Sequence, residues 1–296
     1  MCPAYLKPKL LEPELWPPLF SEIPDPPQKL WLTGTLPPVE FHYLTIVGSR
    51  KYSTYGKTVC QKLIASLSGL PIVIVSGLAL GIDGIAHQAA LEAGLKTVAI
   101  PGSGLDFSVL YPASHRTLAR KIVEAGGALL SELPPEEKPA KHTFPRRNRL
   151  MAAMAQVVLV IEATHKSGSL ITARLALEYN RDVAAVPGPI FSTNQTGTNE
   201  LIRQGAIPIT EAGDIAEIFG LSLIPTPDET SLDLSDEEKL LLRQLENSAV
   251  KIDDLVVNTG WPVERVRTIL SLLEIKNLVF LQGDIVNTKL TVSKQS

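Results

Sequence analysis

The run KPAKHTFPRRNR (138–149) sets Lys138, Lys141, Arg146, Arg147 and Arg149 around His142 and Phe144. Cations that follow a phosphate backbone, with a ring for base stacking, are what a single-stranded nucleic acid requires. Taken alone, such a run is more often a solvated face, and Phe144 also fits a core position at a helix start. Other candidate groups sit in short glycine-bearing turns: Gly48-Ser49-Arg50, Ser76-Gly77, Pro101-Gly102-Ser103-Gly104, the stretch from Glu162 through Ser167, Gly168 and Ser169, and Val186-Pro187-Gly188. Small residues let backbone amides approach a ligand, and helix N-termini favour phosphate. Arg50 adds a forked cation suited to phosphate oxygens. Each glycine alone also has a purely structural use, because tight turns need it.

Catalytic groups are scarce. His42, His87, His115, His142 and His165 are scattered, with no H-E-x-x-H spacing and no G-x-S-x-G elbow. Asp83 and His87 stand at i, i+4, where a helix hydrogen bond is a commoner outcome than a metal. Cys2 and Cys60 are the only cysteines, too few for a disulfide scaffold or a cysteine zinc site. There is no Walker motif, and no G-x-G-x-x-G with an acidic ribose partner, so ATP hydrolysis and NAD binding are not indicated. The expectation is a non-enzymatic protein without metal or cofactor.

Elements that would position these groups are legible from residue 41 onward. Apolar runs such as PIVIVSG (71–77) and QVVLVIEA (156–163) alternate with helical stretches such as GIDGIAHQAALEAG (81–94) and GSLITARLALEYN (168–180). Near-continuous apolar runs mark strands buried on both faces. Their alternation with helices predicts an α/β fold with a doubly wound, mostly parallel sheet over 41–220. The basic run follows one strand, and its helix is predicted from residue 147 to 155. In such a sheet the turns after the strands converge on one edge.

Residues 1–40 carry ten prolines and read as an extended arm, docked through Trp16, Phe20, Leu30 and Trp31. Residues 221–234 read as a linker, and 235–296 as three helices and a hairpin, a winged helix. With 45% hydrophobic and 20% charged residues over 296 positions, the chain is globular. No membrane span or signal peptide is apparent, so a cytoplasmic location is expected. The charge is uneven: the middle region has 17 Lys and Arg against 14 Asp and Glu, whereas 221–296 has 8 against 12. That acidic balance disfavours strong duplex binding by the winged helix and leaves a protein contact equally open.

The segments IVGSRKYSTYG (46–56), SGLALGIDGIAHQAALEAG (76–94), GALLSELPP (127–135), KHTFPRRNR (141–149) and GTNELIRQGA (197–206) together resemble the DprA, or Smf, family of bacterial DNA-processing proteins. The likeness covers most of 41–220. It implies an extended Rossmann-like domain that binds single-stranded DNA without sequence preference and delivers it to the RecA recombinase in natural transformation. It also implies a homodimer, a C-terminal winged helix, contact with single-strand binding protein and no established catalysis.

Carried onto this chain, Gly48, Ser49 and Arg50 match the phosphate-holding turn. Lys141 and Phe144 match a phosphate cation and a base-side ring. Arg147, Asn148 and Arg149 match the pocket-lining segment, and Ser76, Gly77, Ser167, Gly168 and Ser169 match flanking loops. Leu201, Ile202 and Ile207 are candidate dimer contacts, although core packing suits them equally. The family's front helical module is expected to be reduced to the proline-rich arm. An alternative reading is an enzyme like the nucleoside-monophosphate phosphoribohydrolases of the lysine-decarboxylase-like family, with SGSLITARLALE and its Glu178 as the nearest analogue of their motif. Another is a scaffold role for the winged helix.

Overall fold

Prolines bracket the first strands and decide where they form. Pro8 and Pro13 flank β1 (Lys9–Leu11), and Pro27 and Pro37 flank β2 (Leu30–Gly34). Only these proline-free stretches can complete a ladder. The computed structural model describes residues 6–222, 235–245, 250–275, 279–282 and 285–288. After the arm come β3 (His42–Val47), α1 (Thr54–Ala65), β4 (Ile72–Ser76), α2 (Ile82–Glu92), β5 (Lys96–Ala99), α3 (Arg116–Glu124) and β6 (Ala128–Ser131). There follow α4 (Thr143–Met154), β7 (Val157–Val160), α5 (Ser169–Glu178), β8 (Asp182–Ala185), α6 (Thr196–Arg203), β9 (Ile207–Pro208) and α7 (Ala212–Ile218).

These strands form one nine-stranded sheet in the order β1-β2-β6-β5-β4-β3-β7-β8-β9. The seven strands from β6 to β9 run parallel. β1 and β2 add to one edge antiparallel, with Trp31 opposite Ser131. Every residue of β4 and β7 is buried, as near-continuous apolar runs require. The fold is therefore Rossmann-like, α/β and mostly parallel.

The arm is more than a docked extension. Phe20 and Leu30 are buried in the main core, Trp16 packs against it, and Trp31 packs on a second cluster near Leu6 and Leu129. Polar links fasten it: Arg181 Nη1 lies 2.7 Å from Glu22, and Tyr179 donates its hydroxyl proton to Asp25 at 3.0 Å.

The chain divides into two compact units, Met1–Leu221 and Ser222–Ser296. Most of the expected linker lies outside the described residues. The second unit contains α8 (Asp236–Leu245), β10 (Val250–Lys251), α9 (Ile252–Thr259), α10 (Val263–Ile275), β11 (Val279–Gln282) and β12 (Ile285–Thr288), with strand order β10-β12-β11. Leu241, Leu245, Leu255, Leu270 and Leu273 build its core. Ser235 caps α8 in a reciprocal pair: Glu238 N–H donates to Ser235 Oγ and Ser235 N–H donates to Glu238. Among the described residues no helix is long and apolar enough to cross a membrane.

Candidate nucleic-acid interface

From β3 the chain winds outward one way through β4, β5 and β6, then the other way through β7, β8 and β9. The direction reverses at β3 and β7, and a ligand crevice opens outside the carboxyl ends of such strands. A cavity of about 540 Å³ lies there. Gly48, Ser49, Arg50 and Lys51 line it after β3, and Thr164, Ser167, Gly168 and Ser169 after β7. The first turns of α2, α4 and α5 contribute Asp83, Phe144 and Ser169, so three helix N-termini face the same space. The partial positive charge at these helix ends favours an anion.

Two glycines let the chain fold this tightly. Gly81 has φ +91°, and a Cβ there would sit 2.3 Å from the Ser49 carbonyl oxygen. The Ile82 amide then donates to that oxygen at 3.2 Å, tying the Arg50 turn to α2. At Gly77, a Cβ would overlap the Arg147 guanidinium.

α4 begins at Thr143, four residues before the predicted start. Pro145 lies in the first helical turn, where no amide donor is needed. Thr143 fixes this start by donating to the Gly102 carbonyl at 2.6 Å and accepting from the Ala140 amide at 3.1 Å. The helical period then places Phe144, Arg147, Asn148 and Met151 on the cavity side. Arg50 stacks its guanidinium 5.2 Å from the Phe144 ring centre. Arg50 and Lys141 are exposed, and neither has a salt bridge to a carboxylate among the described residues.

Other predicted site residues serve the fold. Arg147 lines the cavity, yet it is buried and bound to the Ile100 carbonyl at 3.0 Å, with Asp83 at 3.7 Å. Burial lowers the Arg147 pKa and the Asp83 charge opposes that shift. Burial likewise raises the Asp83 pKa, while Arg147 acts against it. Asn148 bridges to the Gly168 carbonyl at 3.5 Å. The structure does not bring Ser76, Gly77 or Arg149 into the lining. Ser76 is fully buried and donates to the Ile46 carbonyl at 2.6 Å, and Gly77 makes room for Arg147. Arg149 points to the opposite side of α4, where it pairs with Glu132 and Asp25.

Asp83 and His87 do not pair with each other. Asp83 faces Arg147, and His87 Nδ1 lies 2.7 Å from Thr97 Oγ1. Because Thr97 donates its own proton to the Ile74 carbonyl, His87 Nδ1 is the donor in that contact. Burial depresses the His87 pKa to about 3. Among the described residues no cluster of three or more His, Cys, Asp or Glu could hold a metal. Glu162 is a buried clasp that accepts from the Ser53 amide at 2.9 Å and from Gln195 at 3.1 Å. Glu178 ends α5, roughly 9 Å along the axis from Thr172, the last residue of the helix to line the cavity. It is not among the residues that line the cavity.

Leu201 packs against the main core, Ile202 is half-buried, and Ile207 lies on the edge strand β9. Lys51, Asp83 and Asn194 also line the cavity, although their residue types alone do not single them out. Lys51 adjoins Arg50, and Asn194 follows β8, so the rule of inspecting every strand end, carried further along each loop, finds them.

A model of the family described as DNA recombination-mediator protein A matches residues 9–220. The chain belongs to this family, known as DprA or Smf. A second model, the DprA winged helix domain, matches residues 225–282. Protein Smf of Escherichia coli is 39% identical over 270 residues, covering 88% of this chain and 72% of that protein. DNA processing protein DprA of Streptococcus pneumoniae is 42% identical over 200 residues, covering 68% of this chain and 70% of the relative. The crystal structure of the S. pneumoniae protein superposes with a TM-score of 0.66, covering 72% of this chain and 75% of that one. DNA processing protein A of Helicobacter pylori superposes with a TM-score of 0.63 at 33% identity, covering 72% of this chain and 95% of that one, and its structure is described in terms of a single-stranded DNA binding mode.

Proposed function

We propose that this chain binds single-stranded DNA without sequence specificity and delivers it to the RecA recombinase during DNA uptake in natural transformation, as a non-enzymatic mediator of recombination. One observation carries the reading: Arg50 and Lys141, cations without a salt bridge among the described residues, line the switch-point cavity together with Phe144. Phosphates take the cations and the helix N-termini, and a base takes the aromatic corner, which is the composition of a sequence-tolerant single-strand site. The single-stranded DNA binding of the H. pylori relative supports the same ligand here. Arg147 acts by neutralising Asp83 on the cavity floor, so an incoming phosphate meets no uncompensated carboxylate.

The mediator works in the cytoplasm as a homodimer, with Leu201, Ile202 and Ile207 at the contact, and shares its strand with single-strand binding protein. The decisive experiment is fluorescence anisotropy of a labelled oligo-dT with wild type and the Arg50→Ala/Lys141→Ala double variant at two salt concentrations. Salt-sensitive binding by wild type, lost in the folded double variant, supports the site. Equal binding by both would remove it.

A further inference from the structure

Phe144 is crowded. Arg50 stands 5.2 Å from its ring centre, and a Cβ at Gly102 would lie 2.6 Å from its Cδ1. A third neighbour is Tyr111, whose ring meets Phe144 edge-on at 6.0 Å and 70°. Phe144 is thus half-buried, whereas Tyr111 keeps 43% of its surface exposed. The ring best placed to offer a free face at this corner is Tyr111.

Tyr111 is also held in place. Its amide donates to Ser103 Oγ at 3.2 Å. Ser103 is fully buried, and its carbonyl accepts from Ser131 at the end of β6. An aromatic ring on a fixed backbone has two torsions to lose on contact, so little entropy opposes stacking. Every base has a face for such a ring, so the contact needs no sequence.

We propose that Tyr111 is a second base-contacting residue, stacking a base next to the one at the Phe144 corner on a strand whose phosphates Arg50 and Lys141 hold. This assignment rests on the single-stranded DNA reading above, and the test separates the two. An oligonucleotide carrying 5-iododeoxyuridine is photo-crosslinked to the full chain, and the adduct is mapped by peptide mass spectrometry. Affinities of Tyr111→Phe and Tyr111→Leu are measured by anisotropy beside Arg50→Ala/Lys141→Ala. The expected result is an adduct on Tyr111, near-wild-type affinity for Tyr111→Phe, and a loss of about 5-fold or more for folded Tyr111→Leu. No adduct at Tyr111, or a Tyr111→Leu variant that binds as wild type does while the double variant fails, would overturn the Tyr111 assignment and leave the phosphate site standing. A wild-type chain that does not bind the oligonucleotide at all would overturn both.

Discussion

Two sets of cations in the same unit do opposite work. Arg50 and Lys141 are exposed on the cavity lining and have no salt bridge among the described residues. Arg147 and Arg149 are committed inward, the first to Asp83 and the Ile100 carbonyl, the second to Glu132 and Asp25. A guanidinium already engaged by buried partners has little left for a phosphate, whereas an unpaired one gains from releasing counterions. A basic run therefore does not measure a binding surface. What counts is which cations the fold leaves without a partner.

The sharpest break between the sets is in stability. Arg147→Met should cost about 3–5 kcal/mol in urea unfolding, because Asp83 is left as an unpaired buried charge. Adding Asp83→Asn should recover much of that loss, and no recovery would show that the ion pair is not the cause. Next in size, Arg50→Ala with Lys141→Ala should leave stability within about 0.5 kcal/mol, as surface changes do. It should nevertheless flatten the log–log salt dependence of single-strand affinity by about 1.4, because each neutralised phosphate adds about 0.7 to that slope.

The buried network predicts a pH effect of about 2 kcal/mol. The folded pKa of His87, about 3, lies below its ordinary value of 6.5. A depressed folded pKa gives stability that is present above 6.5 and lost as pH falls toward 3. Between about pH 7 and about pH 5 that amounts to about 2 kcal/mol. Unfolding curves at the two pH values should show this slope in wild type and a shallower one in His87→Gln. The smallest effect on DNA binding is on the arm side. Arg149→Ala leaves Glu132 only the longer 3.5 Å contact with Arg146; it should cost about 1–3 kcal/mol and leave DNA affinity within about twofold by anisotropy. A large affinity loss there would return Arg149 to the DNA path.

Much of this arrangement is legible in the sequence. Runs such as Ile72–Ser76 and Val157–Val160 announce buried parallel strands, and those strands bring Gly48–Arg50 and Ser167–Ser169 together. The division among the arginines is not legible, because it depends on helical phase. Once α4 begins at Thr143, Phe144, Arg147, Asn148 and Met151 fall on one stripe and Arg146 and Arg149 on another. A helix started at residue 147 hides that stripe, since Pro145 reads as a break although it sits where a proline is tolerated. β2 is hidden for the opposite reason: the prolines around it mask a run able to pair with β6.

The sheet's two borders carry one more consequence. At one border stands β1, three residues long and bracketed by prolines; at the other stands β9, two residues long with Pro208 in it. Proline cannot donate to a new ladder, and short edges give a foreign strand little to grip. Neither margin is a template for continuing the sheet into another molecule. Self-association through Ile207 would therefore proceed by side-chain packing, and the nine strands stay closed to the edge-to-edge stacking that leads to fibres.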